Sequence, residues 1–174
     1  LNGIAPGQSV VQAIDQMCFS KDGLLKDEFE NLYAALFENA EKHVEVVKAL
    51  ALNPGGLTRE QIIKKCELST GGSTTRLLEE LIESGFISYQ VTFKKAKNEG
   101  VYHLEDAFTH FYFRFMASRP STGHTSWDKL MKQPSFEVWA GYAFERICMQ
   151  HIAPIKKALG IGAVATTQLA WRSA

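Results

Sequence analysis

A run of structural signals between residues 41 and 104 constrains the fold of this 174-residue chain more than any other feature. Apolar residues recur at helical spacing and stop at the breaker 53–56, which has the sequence Asn-Pro-Gly-Gly. Thr58 follows with Gln61 three residues later, a capping box in which each side chain can bond the other residue's backbone N–H. Two consecutive helices are therefore predicted, separated by a short turn.

A third helix and a β-hairpin are predicted directly after these two helices. Ser73 is the expected cap of the third helix, and Gly85 is expected to end it. Residues 86–93 are β-rich, residues 94–100 read as a polar turn, and residues 101–104 read as a second short strand. This order predicts a mainly α fold with a small β-hairpin, namely a winged helix-turn-helix with flanking helices.

The segments around this motif divide the chain into four predicted parts. They are a helical segment (1–39), the winged-helix domain (40–117), a linker rich in Pro, Ser, Thr and Gly (118–134) and a C-terminal segment (135–174). In the last segment Ser135 is expected to cap a helix, Pro154 to break it or to start a new turn, and 161–174 to begin a strand. The aromatic run from Phe108 to Phe115 has helical spacing, which favours core packing over a base-stacking platform.

Charge, cysteine usage and hydropathy argue against a strongly basic nucleic-acid binder, a disulfide-bonded protein and a membrane protein. The chain has 19 basic and 19 acidic residues, so any contact with nucleic acid must use a local patch. Its three cysteines form no CxxC motif and read as reduced thiols of a cytoplasmic protein. No apolar run reaches the roughly 20 residues of a membrane span, so no membrane is expected as a partner. The five histidines show no zinc-ligand spacing.

Six stretches of the sequence together carry a family resemblance. They are residues 56–59, 79–87, 102–106, 111–115, 139–145 and 158–161. The first four resemble the winged-helix region of bacterial and archaeal AAA-family ATPases. The last two resemble the domain that closes these proteins, which is similar to the PD-(D/E)XK restriction-endonuclease fold. The resemblance implies that residues 1–39 correspond to the helical lid of the ATPase module and that 135–174 begin the nuclease-like domain.

The phosphate-binding loop of an ATPase is missing from the sequence. No GxxxxGK[ST] pattern occurs, and the glycine-rich stretch 71–75 has no lysine at the required place. The resemblance therefore implies that the ATP and Mg²⁺ site lies before Leu1, in an ATPase module that would be a partner of this chain. Because the chain begins at Leu1 rather than at methionine, it is expected to be a piece of a longer protein, without a cofactor of its own.

Glu145 is the residue that the resemblance marks for nuclease chemistry. It matches the early helical glutamate of the nuclease-like fold, whose later Asp, Glu and Lys would come after Ala174. A single carboxylate does not make a metal site, since Mg²⁺ is shared among carboxylates, waters and phosphates. We therefore expect no metal site and no enzymatic activity in this chain, with Glu145 as an ordinary helix glutamate.

Two groups of residues are candidates for contact with double-stranded DNA. The first lies at the N-terminal end of the third helix and comprises Ser69, Thr70, Ser73, Thr74 and Arg76. The second lies on the predicted wing and comprises Lys94, Lys95 and Lys97. Capping and solvation explain the first group equally well, and three glutamates on the same helix, at 79, 80 and 83, repel phosphate unless they face away. Wing lysines also protect an edge strand from unwanted pairing.

The function predicted is that of a non-catalytic winged-helix module of an AAA-family ATPase, for DNA binding or regulation. The alternative is a protein–protein or interdomain module that never contacts DNA, which the zero net charge favours. A third alternative is a fragment of a metal-dependent nuclease, supported by Glu145 alone. The apolar stripe of the C-terminal segment further predicts packing onto the winged helix, strand pairing or a homodimer.

Overall fold

The chain folds into helices and one two-stranded antiparallel sheet in the computed structural model, which describes residues 6–90, 100–117 and 126–166. The first elements are α1 (Val10–Ile14), a π-helical turn (Asp15–Phe19), α2 (Glu28–Leu36), α3 (Ala40–Ala51), α4 (Arg59–Lys65) and α5 (Gly72–Glu83). The later ones are β1 (Ile87–Gln90), β2 (Val101–Leu104), α6 (Ala107–Phe111), a second π-helical turn (Tyr112–Met116), α7 (Trp127–Met131), α8 (Pro134–Gln150) and α9 (Ile152–Ala158). The predicted mainly α class with a small hairpin is confirmed.

The predicted capping box before α4 is present. The Thr58 hydroxyl accepts a hydrogen bond of 3.3 Å from the Gln61 backbone N–H, and the Gln61 side chain accepts one of 2.9 Å from the Thr58 N–H. The prediction that Ser73 caps the next helix is wrong, because α5 begins at Gly72 with Gly71 as its N-cap. Gly85, with φ of +75°, follows the end of α5 as expected, since glycine adopts that region without a Cβ clash.

The hairpin is held against the helices by a third chain segment. β1 and β2 pair in antiparallel register, with Ile87 opposite Leu104. Leu57 adds a bridge to β2: its N–H donates to the Tyr102 carbonyl at 3.0 Å, and the Tyr102 N–H donates back at 2.8 Å. A Cβ at Gly56 would lie 2.8 Å from that same carbonyl oxygen, so the close approach requires glycine there. The turn before α4 is thereby fixed to the sheet.

The main core joins α2 to the helices and hairpin that follow it. Its buried members are Phe29, Tyr33, Phe37, Val46, Val47, Leu50, Leu57, Ile62, Cys66, Leu78, Leu81, Phe86, Ile87 and Leu104. Three of them come from residues before 40, and the Tyr33 hydroxyl hydrogen-bonds the buried Thr109 hydroxyl at 3.1 Å. Part of the predicted lid segment therefore shares one core with the predicted winged-helix domain.

A second apolar cluster lies where α1, α6, α7 and α8 meet. Phe115, Trp127 and Leu130 are buried in it, and the Asp15 carboxylate accepts a hydrogen bond from the Trp127 backbone N–H. The prediction that 118–134 is a linker throughout is therefore wrong for its second half. Residues 127–131 form a helix, because Trp127 and Leu130 are apolar side chains that this cluster buries, and residues 118–125 lie outside the described part of the chain.

The C-terminal segment is helical as far as Ala158 and then turns. The N-cap of α8 is Gln133 and its first residue is Pro134, so the prediction that Ser135 caps it is wrong. Residues 161–166 contain a turn and a bend at 162–164 instead of the predicted strand, and 167–174 lie outside the described residues. In the described ranges, no helix combines the length and the apolarity that crossing a membrane requires.

Candidate nucleic-acid interface

The first group of predicted DNA contacts surrounds the N-terminal end of α5. Ser69 and Thr70 are exposed in the turn between α4 and α5, and Ser73 and Arg76 are exposed on the first turns of α5. Thr74 points the other way and is only 2% exposed. The structure therefore brings four of the predicted residues to one accessible surface and places the fifth in the interior.

Side-chain hydrogen bonds hold the turn before α5. The hydroxyls of Ser69 and Ser73 share a hydrogen bond of 2.9 Å, and the Thr74 hydroxyl donates to the Ser69 carbonyl oxygen at 2.6 Å. Neither bond uses a backbone N–H of α5, and the helix has no side-chain N-cap hydrogen bond. The two bonds connect the turn to the first residues of α5, and Ser69, Thr70 and Ser73 remain exposed there.

Arg59 is a cation of this surface that the sequence did not single out. One of its terminal nitrogens donates to the Thr75 hydroxyl at 3.0 Å and to the Gly71 carbonyl oxygen at 3.3 Å. Because Arg59 opens α4 and these acceptors lie at the start of α5, the guanidinium connects the two helices across the turn. The sequence signal for Arg59 is its position directly after the Thr58 cap, which makes it the first residue of α4, where it is half-buried.

Arg76 is held in place by a carboxylate one helical turn further along α5. Its Nε donates to Glu80 Oε1 at 2.8 Å, while Glu80 Oε2 lies 2.9 Å from Nε2 of His43 on α3. The pKa of Glu80 is lowered below its ordinary value, most by the hydrogen bond from Arg76 and less by the one from His43. Glu80 is therefore ionised at neutral pH and bridges two cationic or hydrogen-bonding partners.

The other two glutamates of α5 bear directly on DNA binding. Glu79 and Glu83 are exposed on the same side as Arg76, because positions three and seven residues apart lie on one helix face. Glu83 is about 10 Å further along the axis than Arg76. A phosphate backbone can therefore approach the first turns of α5, but the C-terminal half of the helix repels it.

The second group of predicted contacts, Lys94, Lys95 and Lys97, lies outside the described residues. The strands on both sides of it are described, so the sequence places these lysines in the connection between β1 and β2. Two further exposed lysines, Lys64 and Lys65, form the last turn of α4. Basic residues thus occur on three segments of the helix-hairpin unit.

The aromatic residues of the 108–115 run pack against the two apolar clusters, with Phe115 buried and the others half-buried. Tyr112 stacks on Phe29 with ring centroids 4.0 Å apart, and Phe115 meets Trp127 edge-to-face at 5.2 Å. Such geometries stabilise a core through burial and ring-edge electrostatics. The prediction of core packing is confirmed for this run, and Trp127 and Trp139 pack in the second cluster as well.

Glu145 lies on the exposed side of α8, where it shares a stripe with three exposed apolar residues. Val138, Tyr142 and Met149 are 63%, 49% and 39% exposed, and their spacing of four and seven residues puts them on one face with Glu145. Among the residues that the structure describes, no group of three or more His, Cys, Asp or Glu could hold a metal ion. Among those residues Glu145 therefore belongs to no such group.

Comparison with known proteins gave no match: no family model, no curated protein and no solved structure is significantly similar to the chain.

Proposed function

We propose that this chain is a non-catalytic winged-helix module of an AAA-family ATPase, and that it binds double-stranded DNA through the N-terminal end of α5. The order α3, Leu57, α4, α5, β1, β2 supports the winged-helix part of the proposal. In that fold a short strand before the second helix pairs with the hairpin, as Leu57 does with Tyr102. The helix after the turn then becomes the recognition helix.

The observation that carries the DNA-binding proposal is the exposure of one polar surface. Ser69, Thr70, Ser73 and Arg76 are all exposed around a helix N-terminus, whereas the opposite face of α5 is buried through Leu78 and Leu81. Hydroxyls, an arginine and helix N-terminal N–H groups are the donors that proteins use to contact phosphates. Thr74 is left out of the contact set because it is buried.

The zero net charge sets the mode of binding. Without a global positive field, affinity must come from a few phosphate contacts, so the number of counterions released is small. Arg59, Arg76 and the wing lysines at 94, 95 and 97 would supply those contacts. The exposed Glu79 and Glu83 require the C-terminal half of α5 to tilt away from the duplex.

A salt titration of DNA binding tests this proposal. Fluorescence anisotropy with two unrelated duplexes should show binding at low salt. The logarithm of the association constant should fall linearly with the logarithm of the salt concentration. Arg76→Ala and Lys95→Ala should each lower that slope by about 1 and weaken both duplexes equally. Lys157→Ala, an exposed lysine on α9, is the control and should change neither. No binding by the unmodified chain at low salt would overturn the proposal.

Loss of sequence preference with an unchanged salt slope would instead show that the altered residue reads bases.

The remaining parts of the proposal concern the parent protein. The ATP and Mg²⁺ site would belong to the ATPase module, and the protein would act in the cytoplasm, where Cys18, Cys66 and Cys148 remain the free thiols that the structure shows.

A protein–protein or interdomain module is the second candidate function, and the surface of α8 favours it. Phe144 and Ile147 are 68% and 53% exposed, in addition to the stripe of Val138, Tyr142 and Met149. Contiguous exposed apolar side chains commonly mark contact surfaces for other proteins or for a second copy. In this reading the ATPase module or another chain covers α8, and the outer face of α5 stays in solvent.

A further inference from the structure

His43 is a buried residue of α3 whose side chain contacts α5. Its side chain is 8% exposed, and its ring stacks on Phe37 with centroids 4.1 Å apart and planes 11° from parallel. Nδ1 lies 3.3 Å from the Asn39 carbonyl oxygen, and Nε2 lies 2.9 Å from Glu80 Oε2. Because burial, stacking and two polar contacts act on one ring, the imidazole has little freedom to rotate.

Glu80 connects the buried His43 ring to Arg76 on the surface of α5. Its two carboxylate oxygens have different partners: Oε2 contacts His43, and Oε1 accepts the hydrogen bond from Arg76 Nε. A carboxylate is planar, so fixing one oxygen against a buried ring also directs the other. The ion pair between Glu80 and Arg76 is therefore anchored from the interior, unlike an ordinary exposed pair along a helix.

The anchored pair leaves the guanidinium well placed for an anion. Arg76 is 82% exposed, and among the described residues its hydrogen bond to Glu80 uses Nε alone. The terminal nitrogens carry four more N–H bonds in a rigid plane that matches two phosphate oxygens. Holding a long side chain in this orientation before binding removes part of the entropy lost when a complex forms.

We infer that His43 is a positioning residue that acts through Glu80 to present the terminal nitrogens of Arg76 to a DNA phosphate. The inference rests on the proposed DNA-binding function and adds a role for two residues that do not themselves touch the ligand. It also gives a reason for a glutamate on a helix proposed to approach phosphate. Glu80 orients the arginine, whereas Glu79 and Glu83 only repel.

Binding measurements on glutamate variants of the full chain separate positioning from simple charge. Removing a negative charge from a helix near DNA should strengthen binding, which is the expected result for Glu79→Ala and Glu83→Ala. Glu80→Ala should instead weaken binding by about 3-fold to 10-fold, because Arg76 loses its orientation. In an Arg76→Ala background the Glu80→Ala change should no longer weaken binding. Stronger binding by Glu80→Ala alone would overturn the inference.

A second readout needs no DNA and follows Arg76 directly. In the unmodified chain the Nε–H of Arg76 should give a dispersed, slowly exchanging NMR signal. Glu80→Ala and His43→Phe should both shift it toward the signals of freely rotating arginines, whereas His43→Gln keeps an N–H donor for Glu80 and should preserve it. An Arg76 signal that is insensitive to Glu80→Ala would overturn the inference but leave the proposed DNA binding untouched. Absence of DNA binding by the unmodified chain overturns the proposed function, and the inference with it.

Discussion

The guanidinium of Arg146 donates a hydrogen bond of 2.6 Å to the carbonyl oxygen of Leu104 and so joins α8 to the end of β2. The same terminal nitrogen contacts Nε2 of His110 on α6. A guanidinium has donors only, so the contact with Arg146 requires Nε2 to accept, as it can in a neutral imidazole. Nε2 also lies 3.1 Å from the Leu104 carbonyl oxygen, to which the other neutral tautomer would donate. Burial, with a smaller contribution from the Arg146 charge, lowers the pKa of His110 to about 3, which agrees with a neutral imidazole.

Replacing Arg146 with alanine should destabilise the fold. The change removes the hydrogen bond to the Leu104 carbonyl and the packing of a half-buried side chain, while His110 Nε2, 3.1 Å from that carbonyl, can replace the lost donor. We therefore expect a loss of about 1–2 kcal/mol in the free energy of unfolding. Urea unfolding followed by tryptophan fluorescence measures it. Arg114→Ala is the matched control: Arg114 is exposed and donates a longer bond of 3.4 Å to the Ser135 carbonyl, and its loss should cost less than about 0.5 kcal/mol. Equal effects of the two changes would contradict this prediction.

The buried, neutral His110 should make stability depend on pH in one direction. In the unfolded chain the imidazole takes up a proton near its ordinary pKa of 6.5, but in the folded chain it does so only near 3. Between these values the unfolded state binds more protons, so the free energy of unfolding falls as the pH falls. This contribution to stability is complete above pH 6.5 and is lost progressively toward pH 3.

His110→Gln isolates that contribution because glutamine can accept from Arg146 and does not titrate. Between pH 6 and 4 the pH slope of the unfolding free energy should be smaller in the variant than in the unmodified chain, by up to about 1.4 kcal/mol per pH unit. Urea unfolding at a series of pH values gives both slopes. Parallel curves would mean that His110 is not the residue responsible.

Local features were predictable from the sequence because neighbouring residues cause them. The capping box of Thr58 and Gln61, the stop at Gly85 and the strand that ends at Leu104 each depend on residues a few positions apart. The sequence predicts Ser73 as the N-cap where the structure has Gly71, because serine and glycine are both good N-caps and two glycines stand directly before Ser73. Such errors concern the end of an element, and its type was correct.

Contacts between distant residues were not predictable in this way. Glu80 is 37 residues from His43, and Arg146 is 42 residues from Leu104, so no spacing rule connects them. The sequence predicts a loop where the structure has the helix at Trp127, because the neighbouring residues are polar. The cluster that buries Trp127 comes from other parts of the chain. The candidate interface was therefore only partly predictable: the exposed hydroxyls were found, but the anchoring of Arg76 was not.

The bond between Tyr33 and Thr109 should couple α2 to α6 energetically. Both residues are almost fully buried, and their hydroxyls lie 3.1 Å apart, so Tyr33→Phe leaves the Thr109 hydroxyl without this partner and should cost about 1–2 kcal/mol. Thr109→Val should cost a similar amount. The double variant should cost less than the sum, because neither orphaned hydroxyl remains. Strict additivity in urea unfolding would show that α2 is not coupled to the core through this bond.

Divalent cations should have no effect on this chain. Magnesium binds through several carboxylates together with waters and phosphates, and Glu145 on α8 is surrounded on its stripe by apolar side chains such as Tyr142 and Met149. Millimolar magnesium or manganese should therefore leave the thermal unfolding midpoint unchanged relative to a chelator control, and a plasmid substrate should stay intact. Glu145→Ala should behave like the unmodified chain in both assays. Metal-dependent cleavage of DNA that disappears in Glu145→Ala would favour the nuclease reading, because it would require Glu145 to share a cation with residues outside the described ranges.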